Sequence, residues 1–83
     1  MDNISIDLSR LYADTQTAKL DKLITYETNV LHQAGNGNSI TLTGAAPVWL
    51  YLRIAHALHG KAIKLIYDSP VTGKVTIFDH NPF

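Results

Sequence analysis

Along these 83 residues the spacing of apolar side chains switches repeatedly between two and three-to-four, and that switching leaves few folds open. Ile4, Ile6 and Leu8 alternate with Ser5 and Asp7, the period of a half-buried strand. From about Thr15 the period lengthens. Leu20, Leu23, Ile24, Leu31 and Ala34 recur at helical spacing, which predicts an amphipathic helix ending at Gly35. Residues 39–44 alternate again. Pro47 then stands where a helix favours Pro, in its first turn, and residues 48–59 form a second helix stopped by Gly60. Residues 62–68 read as a third strand, 69–73 as a turn and 74–78 as a fourth strand. The order β-α-β-α-β-β predicts an α+β sandwich. Two right-handed crossovers put both helices on one face of a four-stranded sheet. A single domain over residues 1–83 is the expectation for so short a chain, and a homodimer is expected to cover the bare sheet face.

Composition narrows the chemistry. Seven Lys and Arg balance seven Asp and Glu, so the chain lacks the basic excess needed to grip long DNA or RNA by its phosphates. With no Cys there is no disulfide frame, zinc ribbon or thiol nucleophile, and any metal must be held by His and carboxylates. The N-terminus has neither the basic nor the apolar region of a signal peptide. The uncharged run from Thr28 to Leu52 is broken by Asn29, His32, Gln33 and the Gly-Asn repeat at 35–38, so no membrane span is expected. Together these features predict a cytoplasmic protein.

Three places could carry chemistry. At the strand-to-helix connection, Gly44, Ala45 and Ala46 let a backbone approach closely, and the amides of the helix that starts at Pro47 face an anion in principle. A tight connection without ligand is the reading those residues favour by themselves. On the second helix, Trp49, Arg53, His56 and His59 are spaced four, three and three apart. They form one stripe, with Val48, Leu52, Ala55 and Leu58 as the stripe facing the sheet. Trp can stack on a base, Arg can pair with a phosphate, and a neutral imidazole can ligate a metal. A solvated helix face is the alternative. Asp68, Asp79 and His80 end strands next to loops, where sites tend to be built. His32 reads as a surface residue.

In order and spacing, Gly44, Pro47, Val48, Trp49, Leu50, Ala55, His56, His59, Ile66, Tyr67, Asp68 and His80 resemble the third Csx-type family. Its members are small CRISPR-associated ring nucleases, first described as manganese-dependent deadenylating exoribonucleases. The resemblance covers residues 39–80. It implies a ferredoxin-like fold and a homodimer that assembles further, as a tetramer or a head-to-tail filament. It also implies binding and cleavage of cyclic oligoadenylate, above all cyclic tetra-adenylate, the second messenger of type III CRISPR defence. The functional histidine and aspartate of the family fall on His59 and Asp68, with His56 and His80 in support. Manganese, if used, would be held by His59, Asp68 and His80. The substrate would meet Gly44, Ala45, Ala46, Pro47, Trp49, Arg53 and His56. Two arginines of the family pattern are replaced, by Ala45 and Ala46 before Pro47 and by Ser69, Pro70 and Val71 after Asp68. Their loss keeps a second reading open, a non-catalytic sensor or sponge for the same ring. A single-stranded RNA binder is a third, weakened by the missing aromatic signature on the third strand.

The predicted topology constrains any mechanism. His59 closes the second helix, at the edge where the third strand begins, and Asp68 ends that strand. Six strand steps at about 3.3 Å separate the two edges by roughly 20 Å. One metal ion or one scissile phosphate cannot touch both. If both act, they come from different subunits stacked head to tail.

Overall fold

The computed structural model describes residues 2–80, so Met1 and residues 81–83, the ends of the expected domain, lie outside the described residues. Strand β1 (Asn3–Asp7) leads into a 3-10 turn (Leu8–Tyr12) and an irregular stretch, then helix α1 (Leu23–Ala34). Strand β2 (Ser39–Thr43), helix α2 (Val48–Leu58) and the hairpin of β3 (Lys64–Ser69) and β4 (Gly73–Asp79) follow. The sheet order is β1-β2-β3-β4. β1, β2 and β3 run parallel, and β4 returns antiparallel. This is the expected α+β arrangement of four strands and two helices. Its two layers are consistent with a ferredoxin-like sandwich, here with sequential strands.

Register explains the core. Ile6 lies beside Leu42, and Ile40 beside Leu65. Strand side chains alternate, so these four share one face, and all are buried. Both helices lie on that face and touch each other, and Arg53 of α2 pairs with Glu27 of α1. The opposite face carries Ser5, Thr41, Thr43, Lys64, Ile66, Asp68 and Thr76. It is mostly polar, not the apolar surface a dimer would cover. No helix among the described residues is long and apolar enough to cross a membrane.

Two helix expectations need correction. The first helix begins at Leu23, not near Thr15. Gln16 adopts a left-handed φ of 62°, and Lys19 is extended. The extended Lys19 amide donates to the Tyr26 hydroxyl at 3.0 Å, which holds the chain out of helical phase. The buried stripe is therefore Leu23, Tyr26, Val30 and Ala34, and Leu20 and Ile24 are exposed. On α2 the core stripe is Leu50, Ile54 and Leu58, whereas Val48 and Leu52 are 73 % and 66 % exposed. α2 carries two apolar stripes, and α1 covers neither Val48 nor Leu52. Both line an open groove between α2 and β4, with Ile77 on its far side. These three are among the seven large exposed hydrophobic side chains of the described residues.

Candidate functional site

Steps of three residues advance a helix by about 300°, so a run of them drifts around the axis. The stripe of Trp49, Arg53, His56 and His59 therefore comes apart. Trp49 is half-buried against the core. Arg53 leans to α1, where its Nη2 and Nε both reach Glu27 Oε1 at 3.1 Å. His56 is exposed. His59, the residue that ends α2, turns to β4: its ring stands edge-on to Phe78 at 5.2 Å and to His80 at 5.0 Å, between centroids. Phe78 and His80 stack at 4.8 Å. His59 and His80 thus share one edge of the sheet, and Lys64 and Asp79 lie 4.0 Å apart on the strand ends there.

Asp68 lies at the other edge. It pairs with Lys74, while Leu65 pairs with Phe78, the residue under the His59 ring. Four strand steps from Lys74 to Phe78 span roughly 13 Å, and six steps to His80 roughly 20 Å. Within one chain, His59 and Asp68 are held apart by the length of the hairpin. No group of three or more His, Asp or Glu gathers as a metal site among the described residues. His59, His80 and Asp68 of one chain therefore do not fit a single shared ion.

The Asp68 edge is the carboxyl end of the parallel strands, where open α/β sheets tend to bind ligands. Asp68 and the 44–46 connection line a cavity of about 690 Å³. Leu42, Leu65 and Tyr67 form part of its floor, and Tyr51 and Leu52 belong to its α2 wall. Pro47 ends the connection in an extended conformation, and its carbonyl accepts the first bonds of α2 from Leu50 and Tyr51. Gly44 has a φ of 101°, and a Cβ there would overlap the Asp7 carboxylate. Asp7 is in turn fixed by the backbone and hydroxyl of Ser9, at 3.0 and 2.6 Å.

The sequence assigns no role to Tyr12 and Tyr51 at this edge, and names Tyr67 only within the resemblance. Tyr51 donates its hydroxyl to the Gly44 carbonyl, and Tyr12 donates to the Ala45 carbonyl at 2.6 Å. Tyr67 meets Tyr51 edge-on at 4.9 Å. Burial pushes the Tyr51 phenol up to about 12, helped by Tyr67, Asp7 and Tyr12 nearby. Burial, then Asp7 and Tyr26, also raises Tyr12. The chain has four Tyr against two Phe, and a buried phenol needs an acceptor, but residue type alone does not say which one.

A family model described as "CRISPR-associated protein (Cas_csx3)" matches residues 15–83, well over half of the chain. No curated protein and no solved structure matches.

Proposed function

The chain belongs to the CRISPR-associated Csx3 family, and from that premise we propose that it is a ring nuclease acting on cyclic oligoadenylate. Cyclic tetra-adenylate is the ring expected, and the active site is composite, built between stacked subunits. The observation that carries this reading is the separation of His59 from Asp68 along the β3–β4 hairpin. A ring held between the His59 edge of one subunit and the Asp68 edge of the next meets both. In the proposed step a ribose 2′-oxygen attacks the adjacent phosphorus, and the phosphorus–5′-oxygen bond breaks. His59 accepts the 2′-hydroxyl proton, and solvent protonates the leaving 5′-oxygen. Asp68 of the neighbouring subunit orients the attacking ribose, and the 44–46 connection lies beside it. Manganese, if bound, would be held between subunits by His59 and His80 of one and Asp68 of the next, where it would offset charge on the phosphate. The homodimer belongs to it as well. Its support is the aliphatic groove of Val48, Leu52 and Ile77, in place of the polar sheet face.

One observation favours the sensor or sponge reading. Arg53, the arginine expected to meet the substrate, is engaged by Glu27 of α1. The RNA-binding reading loses support, because Tyr67 and Phe78 share the helix side of the sheet with Leu42 and Leu65, leaving the open face of β3 without a stacking ring. Incubation with cyclic tetra-adenylate, with and without manganese, tests the proposal. Linear products are expected. Binding without products would select the sensor, and neither binding nor products would contradict both readings.

A further inference from the structure

The 44–46 connection consists of a glycine and two alanines, so it has no side chain with which to anchor its own backbone. Two tyrosines from separate elements hold it instead. Tyr51 comes from the second turn of α2, and Tyr12 from the end of the 3-10 turn after β1. Their hydroxyls take consecutive carbonyls, those of Gly44 and Ala45. Each ring is itself fixed by a second aromatic: Tyr12 lies 6.2 Å from Tyr26, and Tyr51 lies 4.9 Å from Tyr67. The Asp7 carboxylate closes the side of Gly44 where a Cβ would stand.

A trans peptide carries its carbonyl and its amide on opposite sides, and no peptide bond among the described residues is cis. With the Gly44 and Ala45 carbonyls turned to the tyrosines, the Ala45 and Ala46 amides turn the other way. Neither amide makes a hydrogen bond among the described residues.

We propose that Tyr12 and Tyr51 are positioning residues, which hold the 44–46 backbone in the geometry with which it meets the cyclic oligoadenylate. The inference rests on the ring-binding reading above and adds to it. The braced Ala45 and Ala46 amides supply donors to a phosphate oxygen. A phenol suits the task. Both hydroxyls titrate well above neutrality, so they remain donors across the working pH range.

The test compares wild type with Tyr12→Phe, Tyr51→Phe and the double variant, which keep the rings and remove only the hydroxyls. Thr28→Val is the control, since it removes a hydroxyl bonded to the Ile24 carbonyl on α1, away from the connection. Cyclic tetra-adenylate is titrated by calorimetry, cleavage is split into kcat and KM, and amide resonances of Ala45 and Ala46 are followed by NMR. In wild type those two resonances should shift on adding the ring. The double variant should raise Kd and KM by about tenfold, with kcat little changed. Thr28→Val should leave both Kd and KM unchanged. Variants that bind as tightly as wild type would overturn the inference while leaving ring binding intact. So would wild-type Ala45 and Ala46 resonances that ignore the bound ring, a measurement that needs no variant to fold. A wild type that binds no ring at all overturns the functional reading itself, and this inference with it.

Discussion

At Gly44 the backbone and a neighbouring carboxylate impose one demand together. The φ of 101° disfavours any side chain, and Asp7 occupies the space a Cβ would need. Gly44→Ala should therefore destabilise the protein by about 1–3 kcal/mol, measured by urea unfolding. Tyr51 gives the same edge a pH signature. Its phenol ionises near the ordinary value of 10.0 in the unfolded chain and at about 12 in the folded protein. The folded state keeps a proton that the unfolded chain gives up. That stabilisation is fully present below the lower value and is lost as pH rises toward the upper one. Urea midpoints measured across that alkaline window should fall in wild type, and fall less in Tyr51→Phe.

At the level of elements, the strands were legible because their signal is local. Alternation in residues 3–7 and 39–43 places Ile6, Ile40 and Leu42 inward whatever the rest of the chain does. Helix faces depend on what lies beside them. Val48, Leu52 and Ala55 form as good an apolar stripe as Leu50, Ile54 and Leu58, and only the position of α1 and the absence of a helix over β4 decide between them. The start of α1 was hidden for a related reason, because the left-handed Gln16 carries none of the usual glycine or proline signal. Of the candidate site, residue type and order marked the glycine connection, the histidines of α2 and Asp68 only as places that could carry chemistry, and the roles expected of His59 and Asp68 came from the resemblance. The Tyr12 and Tyr51 bonds could not be read, since Tyr12 lies 33 residues before the carbonyl it holds. A pair of substitutions checks the assigned faces of α2. Ile54→Ala, at a fully buried position, should cost about 2–5 kcal/mol, whereas Leu52→Ala should stay within about 0.5 kcal/mol of wild type for the isolated chain.

For the whole molecule, the hairpin of β3 and β4 acts as a spacer. It places the His59–His80 pair at one edge and Asp68 with the 44–46 connection at the other, and under the proposed composite site these are two unlike half-sites of each chain. Two unlike ends that complete each other only between copies make a heterologous contact, which builds stacks or filaments unless it closes. A neutral chain does not resist such stacking through net charge, and a compact ring with few phosphates needs placed donors more than a basic surface. The most direct measurement is cleavage of cyclic tetra-adenylate by His59→Ala and Asp68→Ala proteins, alone and mixed in equal amounts. Each alone should be inactive. In the mixture, intact His59 and intact Asp68 meet at about a quarter of randomly formed contacts, so roughly that share of wild-type activity should return. A mixture no more active than the two separate proteins would contradict the composite site.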